Sequence, residues 1–249
     1  MARVTFVLFD LDDTLFAHRD SLRRGFAAHL AAQTRIVVAD LEAELARWGD
    51  LEEEHYARYL TGELDWHGQR RERVRAFLAP HGVRLPSDVA ADSWFAEYRV
   101  QYEAAWVLHD DVIPCLDAMP DARLGIIANG ELDSQTGKVA AIGLSSRIQH
   151  IVASSAVGVT KPDPAIFVFA CDLFGVAPEE AWYVGDRLET DAVGARSAGL
   201  RGVWLDRSGS ASPAERARAS ALDIPVIHSL GELPALVRSS PTVAGAPSP

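Results

Sequence analysis

The stretch from Val4 to Leu15, VTFVLFDLDDTL, constrains this chain more than any other, because a short apolar run ends in three carboxylates within four positions: Asp10, Asp12 and Asp13. A continuous run rich in Val and Phe fits a strand buried on both faces, as in parallel sheets. Open α/β sheets hold their ligands at the carboxyl ends of such strands. Alternate residues of an extended segment face the same way, so Asp10 and Asp12 share a site wherever the strand stays extended. Two like charges so close are unfavourable unless a cation or a shared proton offsets them. An oxygen-preferring divalent ion such as Mg²⁺ is the simplest resolution. The competing reading is an ordinary surface turn, in which aspartate is common, and the remainder of the chain must decide.

After Leu15 the apolar period becomes helical. Leu22, Phe26 and Leu30 recur every four residues, Leu41, Leu45, Trp48 and Tyr59 continue a stripe, and Val74, Phe77 and Leu78 precede the stop at Pro80 and Gly82. Ser87 is a plausible N-cap for a further helix carrying Phe95, Tyr98, Tyr102 and Trp106. Aromatic residues at helical spacing are more often core than ligand contact, although with Trp48, Tyr56 and Trp66 they could also line a pocket for a flat ring. No strand is expected between Arg19 and Val107. Strand character returns at Ala122–Ala128 and again at Ile148–Ala153, Ala181–Val184, Gly202–Leu205 and Ile224–Ile227, with helices between. Those helices are expected at Val112–Met119, Ala165–Phe174, Asp191–Ala198, Ser212–Ala221 and Leu230–Val237. This alternation predicts an α/β fold, a Rossmann-like doubly wound parallel sheet, interrupted after its first strand by an all-helical insert. The expected division is a discontinuous core of residues 1–17 and 108–237, an insert at 18–107, and a Ser/Pro/Ala/Gly-rich tail, 238–249, too poor in apolar residues to order.

With 249 residues the chain can bury a sizeable core. Its net charge of -11 argues against nucleic-acid or polybasic membrane contacts, which need Lys/Arg patches. An anionic substrate is still allowed, since a metal and one or two lysines can dominate locally. Cys115 and Cys171 form no CxxC pattern and read as reduced thiols, so a cytoplasmic setting is expected. His18, His29, His55, His67, His81 and His109 show no metal-ligand spacing.

The next three strands also lead to something charged or backbone-exposing: Asn129-Gly130, then Lys161 within KPDP just beyond a strand, then Asp186 with Asp191. A parallel sheet would gather all of these on one edge. The segments FDLDDTL, IIANG, KPDP and VGDRLETDAVGARSAG resemble the four motifs of the haloacid dehalogenase-like (HAD) superfamily, and the helical insert resembles its C1 cap. The likeness runs from about Val4 to Leu236. It implies a phosphatase in which Asp10 is the nucleophile, Asp12 the general acid and base, and Lys161 the group that neutralises phosphoryl charge. It further implies Mg²⁺ held by Asp10, the main-chain carbonyl of Asp12, and Asp186, with Asp191 supporting that shell and Glu189 a weaker candidate for the same task. Asn129 and Gly130 would bind phosphate.

One position departs from the pattern. Where the second motif usually offers a Ser or Thr hydroxyl, this chain has Ala128. A hydrogen bond to a charged group is worth roughly 1.5–3 kcal/mol, so an uncompensated loss would slow turnover by about ten- to a hundredfold. The Asn129 amide, or the main-chain N–H groups of Asn129 and Gly130, are the expected replacements. Asp12 argues against a dehalogenase, since such enzymes lack the acid there. A phosphomutase of the same superfamily, or a catalytically weakened ligand-binding protein, are the alternatives. The leading expectation is a Mg²⁺-dependent phosphomonoester hydrolase, a monomer or homodimer acting on a small nucleoside monophosphate or sugar phosphate through an aspartyl-phosphate.

Overall fold

Residues 5–239 are described by the computed structural model of the protein. The opening apolar run forms β1 (Phe6–Phe9), and the chain then enters four helices: α1 (His18–Ala32), α2 (Leu41–Leu60), α3 (Trp66–Leu78) and α4 (Asp88–Ala104). The alternating part follows as α5 (Val112–Asp117), β2 (Arg123–Ala128), α6 (Leu132–Ala141), β3 (His150–Ala153), α7 (Ser154–Val157), α8 (Pro164–Phe174) and β4 (Ala181–Gly185). A π-helical turn at Leu188–Val193 leads into α9 (Gly194–Ser197), β5 (Arg201–Leu205), α10 (Pro213–Ala221), β6 (Val226–Ile227) and α11 (Leu233–Ser239).

All six strands pair in parallel in the order β3-β2-β1-β4-β5-β6, so the expected Rossmann-like sheet is present. The strand that carries the acidic motif lies centrally. Phe9 is opposite Ile126 on one side and Val184 on the other, and the ladder continues into the motif as Asp10 N–H donates to the Val184 carbonyl at 2.8 Å. Chain reversal between β1 and β4 is the switch point at which such sheets open a crevice. Leu8, Ile127, Val152, Phe167, Phe174 and Tyr183 share a buried apolar cluster, which explains the near-continuous hydrophobicity of their strands and helix.

The chain divides into two compact units, one running to Phe16 and resuming at Leu108, the other spanning Ala17–Val107. The second unit is helical and has its own core. Phe26 stacks on Trp48 with ring centroids 4.3 Å apart, and Phe77, Trp94 and Tyr98 meet Phe26 edge-on. Trp48, Phe95 and Tyr98 therefore serve as packing, whereas Trp106 lies past the end of α4. Ser87 caps α4 by accepting from Ala90 N–H at 3.2 Å.

Three local expectations need correction. The last strand is only two residues long, since Pro225 has no N–H to give the ladder and contributes only its carbonyl, to Trp204 N–H at 2.9 Å. The fourth-motif helix begins at Leu188 rather than Asp191, and begins as a π turn. Arg238 and Ser239, assigned to the tail, complete α11, and the rest of that tail lies outside the described residues.

Candidate active site

The loops after β1, β2, β3 and β4 bring their polar groups together as the parallel sheet requires. Lys161 is at the centre. Its side chain is 3% exposed, and Nζ donates to Asp10 Oδ1 at 2.6 Å, to Asp191 Oδ1 at 2.7 Å and to the Tyr183 hydroxyl at 2.8 Å. Three acceptors match the three protons of an ammonium. Burial by itself pushes Lys161 down, but Asp10 and Asp191 outweigh it and the net shift is upward, so this lysine stays charged.

The Tyr183 hydroxyl lies 3.1 Å from both the Ile127 carbonyl and Asp191 Oδ1. Asp191 is buried, and its second oxygen accepts Arg187 N–H at 3.0 Å. Both of its oxygens are thereby occupied within the protein, which suits a supporting role. Gly185 is required beside it, since a Cβ at that position would fall on the Asp191 carboxylate. Asp10 accepts through Oδ1, and among the described residues no hydrogen bond takes up its Oδ2. A carboxylate oriented through one oxygen is well placed to react through the other.

Asp10, Asp186 and Asp191 each offer a carboxylate oxygen, and these atoms lie within 4.8 Å of one another. Two of the three acids, Asp10 and Asp191, hold the Lys161 ammonium between them. Burial raises Asp10 to about 7, with Lys161 opposing and Asp191 and Asp12 adding to the rise. Burial, Asp10 and Asp191 likewise raise Asp186 to about 8. The cluster has surplus negative charge and only oxygen donors, which is the donor set a hard divalent cation takes.

The second-motif turn is tied to the lysine-bearing loop. The Asn129 amide accepts Lys161 main-chain N–H at 2.8 Å and donates to the Lys161 carbonyl at 3.1 Å, so it fixes that loop. Gly130 N–H donates to Ser154 Oγ at 2.8 Å. The Asn129 amide and the Gly130 N–H thus brace the turn against the lysine loop and Ser154. Gln135 Nε2 completes the brace by donating to the Asn129 carbonyl at 3.1 Å. Ala128 is buried and supplies no hydroxyl.

Several participants escaped the reading of the sequence. Lys138 donates to both oxygens of Asp12, at 2.7 and 2.8 Å. Arg207 donates to the carbonyls of Asp13 and Thr14 at 3.2 and 2.7 Å and is itself clamped by both oxygens of Asp111. This clamp steadies the tight loop in which Asp13 adopts φ 61°. A tyrosine within an apolar strand and a lysine on the apolar face of α6 were the available signals. Glu189, by contrast, is turned to an exposed pair with Arg218.

A family model described as haloacid dehalogenase-like hydrolase matches residues 4–199. The chain is 34% identical over 229 residues to phosphoserine phosphatase of Thermus thermophilus, covering 81% of this chain and 88% of that one. It is 30% identical over 254 residues to N-acylneuraminate-9-phosphatase of Mus musculus, with 96% of each covered. Glyceraldehyde 3-phosphate phosphatase of Methanopyrus kandleri is 33% identical over 203 residues, covering 81% of this chain and 83% of that protein. Among solved structures, the magnesium-bound HAD-hydrolase YfnB of Bacillus subtilis superposes with a TM-score of 0.78 at 20% identity, covering 95% of this chain and 99% of YfnB. The 2-haloacid dehalogenase of Pseudomonas syringae gives 0.64 at 27% identity, covering 96% and 100%.

Proposed function

This chain belongs to the haloacid dehalogenase-like hydrolases and is a phosphatase, and from that premise we propose a Mg²⁺-dependent phosphomonoester hydrolase that works through an aspartyl-phosphate on Asp10. The observation that carries this reading is the buried Lys161 ammonium, which orients Asp10 and Asp191 at 2.6 and 2.7 Å while Asp186 completes the acidic cluster.

Asp10 attacks phosphorus through its outer oxygen, and the bond from phosphorus to the alcohol oxygen breaks as the new one forms. Asp12 gives its proton to the departing oxygen. Water then attacks the aspartyl-phosphate and loses a proton to Asp12, and the acyl–phosphate linkage opens to release phosphate and restore both acids. Lys161 offsets phosphoryl charge and keeps Asp10 aimed. Asp10, Asp186 and the main-chain carbonyl of Asp12 would hold Mg²⁺, which when bound supplies charge neutralisation for the cluster and the phosphoryl oxygens. The magnesium found with YfnB supports this choice of ion.

Small polar phosphate esters are the proposed substrates, and the names of the relatives, which specify phosphoserine, glyceraldehyde 3-phosphate and a 9-phosphorylated acylneuraminate, favour a sugar- or amino-acid-like ester over a nucleotide. The same reading treats residues 18–107 as an inserted C1-type cap and the enzyme as cytoplasmic, in keeping with two buried free thiols. Among the described residues no helix is long and apolar enough to cross a membrane. A panel of phosphorylated metabolites assayed with Mg²⁺ tests the reading. Phosphate release from small esters, abolished in Asp10→Asn, is expected; no release across the panel would contradict it.

A further inference from the structure

Helix α6 starts two residues beyond the Asn129-Gly130 turn and buries Gln135, Lys138 and Val139. Residues three and four apart share a helix face, so the lysine projects from the side that packs inward. Its ammonium has one clear destination. Nζ donates to Asp12 Oδ1 at 2.7 Å and Oδ2 at 2.8 Å, and it lies 5.3 Å from the centroid of the Phe16 ring. The lysine side chain is 9% exposed and the aspartate 35%. Exposed ion pairs contribute little because two long side chains must be ordered to make them. Here helix packing has already ordered the lysine, and engaging both oxygens fixes the direction of the carboxyl group as well as its position.

We propose that Lys138 is a positioning residue for Asp12, setting the angle at which that carboxyl group meets the leaving oxygen and later the attacking water. The proposal rests on the phosphatase reading above, in which Asp12 is the proton carrier. Lys138 surrenders no proton in either half-reaction; the proton passes from Asp12 to the alcohol oxygen in the first and from water to Asp12 in the second. Proton transfer needs a heavy-atom separation of about 2.6–3.2 Å, and a misplacement of about 1 Å lowers rates on the order of a hundredfold. Helix α6 therefore connects the second motif to the chemistry of the first: Gln135 braces the turn and Lys138, one helical turn later, aims the acid.

Leaving groups separate positioning from general damage. Departing 4-nitrophenolate needs no proton, whereas an alkoxide does, and the second half-reaction is common to both esters. The experiment compares 4-nitrophenyl phosphate with glycerol 3-phosphate, using the full chain with Mg²⁺, rapid mixing, and thermal melting to verify folding. Lys138→Met is expected to lose about ten- to a hundredfold in kcat on the alkyl ester. On the aryl ester it should show a burst approaching one 4-nitrophenol per enzyme, followed by a slowed steady state. Lys138→Arg should recover part of the alkyl-ester rate, and adding Lys138→Met to Asp12→Asn should lower it no further. Unchanged rates, or equal losses on both esters with no burst, would overturn the proposal. Should the methionine variant not fold, Lys138→Gln carries the same comparison. A wild-type chain that releases no phosphate from either ester, or an Asp10→Asn variant that still does, would overturn the parent reading and this one together.

Discussion

Burying Lys161 against Asp10, Asp191 and Tyr183 places one ammonium among three acids once Asp186 is included. The imbalance has a measurable consequence. Asp10 at about 7 and Asp186 at about 8 lie far above the ordinary carboxylate range, principally through burial. Between roughly pH 4 and pH 8 the metal-free native state therefore keeps protons that the unfolded chain has released. Protons bound preferentially by the native state stabilise it, so this contribution is present at low pH and is lost as pH rises through those two values. A divalent cation must displace the same protons, and its stabilising effect grows across the same interval. The upward shift in Tm on adding Mg²⁺ is thus expected to be larger near pH 8 than near pH 6, and to shrink in Asp186→Asn. Equal shifts at both pH values in a thermal melt would contradict this account of the cluster.

At the level of elements, the turn after β4 decides how accurately Asp191 reaches Lys161. Its π-helical geometry brings the Ala192 carbonyl directly against β5, where Gly202 leaves room that a Cβ would take. Main chain cannot rotate away as a side chain can, so Gly202→Ala should destabilise the fold by about 2–3 kcal/mol, near the upper end for overpacking. Gly137, on α6 with nothing within 4 Å of its missing Cβ, is the internal control. Gly137→Ala should stabilise by roughly 0.5–1 kcal/mol, through helix propensity alone. Urea midpoints of the two variants should move in opposite directions; parallel movement would contradict the packing described. The elements themselves were largely legible in the sequence, since a run such as Ile126-Ile127-Ala128 closed by Asn129-Gly130 has few other readings. The π turn was not, because its extra residue per turn leaves no apolar period. Nor was the engagement of the Asn129 amide, since its partner is the main chain of a residue 32 positions away and only the closed sheet brings the two together.

For the whole molecule, the order β3-β2-β1-β4-β5-β6 is what turns four separated motifs into one site. A carboxylate from residue 10 meets an ammonium from residue 161 because parallel strands of one sheet end at the same edge, not because anything local links them. Asp10 and Asp186 could be read in advance for that reason, since each stands directly after an apolar run whose direction is fixed by the sheet, and Lys161 follows β3 after one short helix. Lys138 and Arg207 could not be read so easily, because both act from positions set by packing rather than from a strand end. With a net charge of -11 and three acids clustered beside Lys161, binding of an anionic ester would rely on a bound divalent cation together with that lysine rather than on the overall field. The central claim is that Asp10 carries the phosphoryl group between substrate and water. Acid quenching during turnover, followed by borohydride reduction and peptide mass spectrometry, tests it most directly. The account predicts conversion of residue 10 to homoserine only in samples that contained substrate; conversion at another aspartate, or at none during active turnover, would contradict it.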